Sequence, residues 1–121
     1  MFLHEGLGCV NLWKDWPDQL VAGSGLGGFV FSRQGYGRSV RREPPWPVSY
    51  LDDEGELLAD VLDAAGIERA ILVGHSDGGS IALAAAAGDH DGRIAGLALY
   101  AAHVNVEPEN VSSIGETVQR Y

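Results

Sequence analysis

With 121 residues and a formal net charge of −9, from 17 acidic against 8 basic side chains, the chain is sized for one domain with a real core. That charge argues against nucleic acid and anionic membrane as partners. The one cysteine, Cys9, rules out an internal disulfide and predicts a reducing, cytoplasmic setting. No apolar run is long enough to span a membrane, and the opening residues predict no secretory leader.

In chain order, Met1-Phe2-Leu3 reads as the end of a strand, followed by a glycine-rich loop at its C-terminal end, His4 to Gly8. Asn11 to Ala22 reads as a helical region. Trp13, Trp16, Leu20 and Val21 give it an apolar face, and Pro17 fits only its first turn. After a loop from Gly23 to Gly28, Phe29-Val30-Phe31 is expected as a second short buried strand. Ser32 to Ser39 is a turn, and Arg41 to Pro47 a proline-rich connector.

Ser49 is expected to cap the next helix, with Asp52 as a short capping-box partner and Asp52, Asp53 and Glu54 facing its positive end. Leu51, Leu58, Leu62 and Ala65 share one face at helical spacing, and Gly66 closes the helix.

Ile71, Leu72 and Val73 form a continuous apolar run, expected to be buried on both faces of a parallel sheet. Gly74-His75-Ser76-Asp77-Gly78 follows as G-x-S-x-G, and small apolar residues run from Ile81 to Ala87, ending at Gly88. Strand, sharp turn and helix put Ser76 at the apex, in a strained conformation with its side chain in the open. Gly74 and Gly78 lack the Cβ atoms that would collide where strand and helix nearly touch. The bland alternative is a glycine-rich turn with an incidental serine. Ile94 to Tyr100 is the last strand, so the order is β-α-β-α-β-α-β, as in a parallel sheet with right-handed crossovers. Asn110-Val111-Ser112 fits a glycosylation sequon and is read as chance.

Leu3-His4-Glu5-Gly6-Leu7-Gly8, Gly35-Tyr36-Gly37-Arg38-Ser39 and Gly74-His75-Ser76-Asp77-Gly78-Gly79, in that order and separation, resemble the α/β-hydrolase superfamily, among its esterase-like and carbon–carbon-bond-hydrolysing members. The resemblance implies an α/β fold with a mostly parallel sheet of about four strands, the first and third side by side. It implies Ser76 as nucleophile toward a small carboxylic ester or similar acyl substrate, with no cofactor. The N–H of Asp77 and that of Gly6 would form the oxyanion hole, with the N–H of Glu5 open as an alternative to Gly6.

The family order of serine, acid and histidine is not completed here. His4 is expected to make a structural hydrogen bond, His75 to point elsewhere, and His90 to be solvent-exposed. His103 and Glu107 are the remaining candidates for base and acid. These histidines and Cys9 lack metal-ligand spacing. The chain therefore reads as the N-terminal half of a hydrolase: a core over residues 1–106 and a tail helix over 107–121. In the tail, Val111, Ile114, Val118 and Tyr121 fall at helical spacing, either as the start of a cap or as a helix folded back on the sheet. Unpaired sheet edges would favour a homo-oligomer, and a non-catalytic assembly module stands as the alternative to the enzyme. A nucleotide-binding fold is disfavoured, because neither phosphate-loop pattern is present.

Overall fold

The structure, a computed structural model, describes residues 1–120; Tyr121, the last residue of the expected tail stripe, lies outside them. The elements are β1 (Phe2–Leu3), a 3-10 turn (Val10–Trp13), α1 (Trp16–Ala22), α2 (Tyr50–Ala64), β2 (Ala70–His75), α3 (Asp77–Ala87), β3 (Ile94–Tyr100) and α4 (Pro108–Arg120). The sheet is parallel in the order β1-β2-β3, with Phe2 opposite Val73 and Gly74 opposite Leu99. The first and third expected strands are thus neighbours, and the loop after β1 and the turn after β2 emerge on one edge.

Four strands become three plus a bridge. Phe29–Phe31 touches the sheet only through a bridge from Val30 to Phe2 and the Phe2 N–H donating to the Phe29 carbonyl at 2.9 Å. The ladder stops because the next backbone donor, the Arg33 N–H, turns to the His4 ring instead of to β1.

Leu3, Leu72, Leu58, Leu62 and Ile81 form the centre of the core between the sheet and the pair α2 and α3. Gly55 lets these helices approach: a Cβ there would lie 2.9 Å from the Ala85 nitrogen. The expectation of strands buried on both faces is corrected. Leu72 is fully buried, but Ile71 is 42 % exposed, and that face opens into a groove of about 870 Å³ between α1 and the sheet. α2 and α3 lie on the other face, so the groove side is covered by α1 alone and only in part.

The Asn11–Ala22 region is split at Lys14, whose φ of 52° ends the 3-10 turn. Pro17 sits in the first turn of α1, and Trp13 and Trp16 stack at 5.4 Å with Phe2 edge-on to both.

The expected Ser49–Asp52 capping box does not form. Ser49 has φ −73° and ψ 3°, already close to helical, and its hydroxyl donates to Asp53 Oδ2 at 3.2 Å. The far end of α2 closes as read: Gly66 has φ +65°, the Gly66 N–H donates to the Asp63 carbonyl, and the Ile67 N–H to the Leu62 carbonyl.

Arg93 completes this end, donating to the carbonyls of Ile67 (2.7 Å) and Glu68 (3.2 Å) and to Asp63 Oδ1 (2.6 Å). These are charge-assisted bonds to two carbonyls of the loop after α2 and to a carboxylate on its last turn. Arg93→Ala is expected to destabilise the fold by about 1–3 kcal/mol. A urea midpoint that does not move would contradict this role.

The tail forms α4, but Val111, Ile114 and Val118 are 58, 64 and 72 % exposed. A helix folded back on the sheet would bury that face, which is exposed here.

Candidate active site

Ser76 stands between β2 and α3 with φ 52° and ψ −119°, a positive φ that an L-residue adopts only under constraint. Two glycines allow the constraint. A Cβ on Gly74 would lie 2.5 Å from the Gly78 carbonyl oxygen, and one on Gly78 would lie 2.0 Å from the Leu3 carbonyl oxygen. The turn is tied to β3 by the Ser76 N–H donating to the Tyr100 carbonyl at 2.9 Å. Asp77 is the first residue of α3, so its N–H has no intrahelical acceptor and lies at the dipole's positive end.

The loop after β1 lies against this turn. A Cβ on Gly6 would sit 2.6 Å from Asp77 Oδ2, so Gly6 and Asp77 are brought together as expected from their motifs. Within the loop, the Leu7 N–H donates to Glu5 Oε2 at 3.2 Å and the Gly8 N–H to the Glu5 carbonyl at 3.0 Å.

His4 is structural. It is 2 % exposed, and both ring nitrogens are engaged: Nε2 accepts from the Arg33 N–H at 3.0 Å, and Nδ1 lies 2.8 Å from the Glu5 carbonyl. Nε2 as acceptor assigns the proton to Nδ1, which then donates to Glu5. Burial holds the imidazole below its ordinary value of 6.5; the Glu5 carbonyl opposes this and the Arg33 charge adds to it. The folded state thus binds its proton less readily than the unfolded chain. His4 contributes stability that is fully present above pH 6.5 and is lost as pH falls through the folded value. An NMR titration should place the His4 midpoint below 6.5, with the urea midpoint falling over the same range; a His4 midpoint above 6.5 would refute the assignment.

Sequence reading missed the residues beneath this loop. Arg33, taken as part of a turn, is 2 % exposed and donates to the carbonyls of His4 and Glu5 and to the Tyr50 hydroxyl. Glu54, expected as an acid facing the end of a helix, is instead 4 % exposed. It accepts from Arg42 at 2.9 Å and lies 3.9 Å from Arg33. Burial pushes its carboxyl up, while Arg33 and Arg42 pull it back. The available signal was an arginine two residues after the apolar run Phe29–Phe31, with Tyr36 and Tyr50 to flank it.

The other histidines differ in setting. His90 is exposed, as expected. His75 lies with its ring 5.1 Å from that of Tyr100 and lines a small cavity with His4, Cys9 and Trp13. His103 follows β3; its backbone exchanges hydrogen bonds with Ser80 Oγ at 2.6 and 3.1 Å, and its Nδ1 is 3.8 Å from Glu107 Oε2.

Comparison with known proteins bears on the family and the fold. "Putative carbamate hydrolase RutD" of Caulobacter segnis is 44 % identical over 57 residues, 47 % of this chain and 21 % of that protein. Its namesake from Caulobacter vibrioides is 37 % identical over 99 residues, 80 % of this chain and 35 % of that protein. Among solved structures, Est816, described as an N-acyl homoserine lactone degrading enzyme, superimposes with a TM-score of 0.71 at 24 % identity, covering 94 % of this chain and 43 % of that one. An extracellular alpha/beta-hydrolase from a Paenibacillus species gives 0.69 at 16 % identity, with coverages of 95 and 48 %. The chain thus spans less than half the length of the proteins it matches. The alpha/beta hydrolase family matches residues 1–121, the whole chain, and with the parallel sheet and the strand–serine–helix turn in place, this chain belongs to that family.

Proposed function

We propose that the chain carries the nucleophile elbow of a serine hydrolase acting on a carboxylic ester or a related acyl compound. One observation carries the reading: Ser76 is held at φ 52° on a strand–helix turn, with Gly6 packed against the adjacent Asp77. In this reading Ser76 Oγ attacks the acyl carbonyl. The Oγ–C bond forms, the bond to the leaving group breaks, and the hydroxyl proton passes to the leaving group. The Asp77 and Gly6 N–H groups receive the oxyanion. Carbamates and lactones, named for two of the similar proteins, share the acyl carbonyl of an ester.

In this reading the base of the triad is neither His4 nor His90. His4 has both nitrogens engaged and His90 faces solvent. A division into a core over 1–106 and a tail helix over 107–121 belongs to the same reading, as do cytoplasmic location and a small-molecule substrate. Intact mass after exposure to a fluorophosphonate tests it: one adduct on the folded chain, absent in Ser76→Ala, is the expected result. A folded chain that takes up no adduct would refute it.

A second reading, a non-catalytic assembly module, draws on the exposed apolar side chains of α4 and on Tyr100, 71 % exposed on the outermost strand. A defined oligomer by light scattering, together with no adduct at Ser76, would favour it.

A further inference from the structure

We propose that Arg33 is the positioning residue of the loop His4–Gly8, aiming its N–H groups at the Ser76 elbow. The inference rests on the hydrolase reading and extends it to a side chain that touches no substrate. Three bonds run from this one residue to the loop. Its backbone N–H donates to His4 Nε2 at 3.0 Å, and Nη2 donates to the His4 carbonyl at 3.3 Å and the Glu5 carbonyl at 3.2 Å.

Peptide planarity converts this grip into aim. In a planar trans peptide the carbonyl and the following N–H point in opposite directions. Fixing the Glu5 carbonyl toward Arg33 therefore turns the Gly6 N–H away from it. Fixing the His4 carbonyl does the same for the Glu5 N–H. These are the two candidate oxyanion donors of the loop. One planar guanidinium can hold both carbonyls at once, which a lysine ammonium, as a compact point charge on a flexible stem, does not reproduce.

The guanidinium is itself fixed. Nη1 donates to the Tyr50 hydroxyl and lies 3.9 Å from Glu54 Oε2, and the Tyr36 ring sits 4.8 Å from the guanidinium carbon. Tyr50 and Glu54 belong to the first turns of α2, so α2 anchors the loop through Arg33. Nε alone among the guanidinium nitrogens has no hydrogen-bond partner among the described residues. The side chain is thus turned to favour the loop carbonyls over its own full satisfaction.

The test uses the full chain with Arg33→Lys and, as a milder variant, Tyr50→Phe. Native-state hydrogen exchange reads the Gly8 N–H, which bonds the Glu5 carbonyl, against amides of β2 and α3. Gly8 is expected to exchange about tenfold faster in Arg33→Lys, with β2 and α3 unchanged. Unchanged Gly8 exchange, or equal acceleration throughout, overturns the inference; where Arg33→Lys does not fold, Tyr50→Phe is held to the same criterion.

Phosphonylation of Ser76 by a fluorophosphonate, which forms the Oγ–P bond and expels fluoride with loss of the hydroxyl proton, supplies the second readout. The maximal labelling rate is expected to fall by up to about 10²-fold in Arg33→Lys, with the probe's half-saturation concentration unchanged. Wild-type labelling speed in that variant overturns the inference. Absence of labelling in the wild type sinks the hydrolase reading instead, and Gly8 exchange still decides the role of Arg33.

Discussion

Ser76→Ala is expected to remove the covalent adduct completely and to leave the fold intact. Serine at a helix N-cap usually satisfies a backbone donor, and its loss then costs about 1 kcal/mol. Here Ser76 occupies the N-cap of α3 without a side-chain capping bond. Its hydroxyl does no structural work there, so the urea midpoint should shift by no more than about 0.5 kcal/mol equivalent. Ser76→Gly is expected to be the more stable of the two, by roughly 1 kcal/mol, because glycine relieves the strain at φ 52°.

The size of the effect on turnover carries separate information. In a complete serine site, loss of the nucleophile costs on the order of 10⁶-fold, whereas oxyanion stabilisation and binding alone supply about 10³–10⁴-fold over water. A large drop in ester turnover on Ser76→Ala would mean that a base is engaged, and His103→Ala would then show whether the ring beside Glu107 supplies it. Adduct loss with little change in turnover is the result expected of an elbow without its base. An adduct that persists in Ser76→Ala would place the reactive group elsewhere and end the nucleophile reading.

Much of the fold was legible because its signals are local. The apolar run at Ile71–Val73, the two glycines about Ser76 and the positive-φ glycine at Gly66 each determine geometry within a few residues, and all three elements formed. Features that depend on what packs against them were harder to read. Ile71 looks like a buried strand residue by composition, yet α2 and α3 pack on the opposite face and α1 leaves a groove over its own. Phe29–Phe31 has strand composition, but its ladder to β1 ends at a single bridge, because the Arg33 N–H turns to the His4 ring.

The network under the loop was hidden for a different reason. Arg33, Tyr50 and Glu54 are separated by up to 21 positions, and a polar residue gives no periodic sign of being buried. Glu54 was placed on the correct helix and in its first turns. Its face was misjudged, because a carboxylate there has two sound uses, facing the dipole or accepting from a buried arginine. The approach of Gly6 to Asp77, by contrast, followed from recognising two motifs and the neighbour relation of their strands.

Gly78→Ala is expected to have the largest effect on stability of any single methyl addition in the site. In an ordinary helix interior this change is favourable by about 1 kcal/mol, since alanine loses less backbone freedom on folding. At Gly78 the new Cβ would lie 2.0 Å from the Leu3 carbonyl oxygen, 2.5 Å from its carbon and 2.8 Å from the His4 carbonyl oxygen. Every one of these is a backbone atom, so no side chain can swing aside. Leu3 is fixed by pairing with Gly74, and Gly78 by the first turn of α3, so relief requires helix and strand to move apart. Separation would strip contacts from Leu3 and Ile81, both fully buried in the core. The expected loss is about 3–5 kcal/mol, a large part of the 5–15 kcal/mol typical of a whole domain. Gly115→Ala, in α4 with nothing within 4 Å of the added carbon, is the matched control and should be neutral or slightly stabilising. Equal urea midpoints for Gly78→Ala and the wild type would mean that α3 does not rest on the end of β1. The loop carrying Gly6 would then have no fixed place beside Ser76, and the proposed oxyanion site would fall with it.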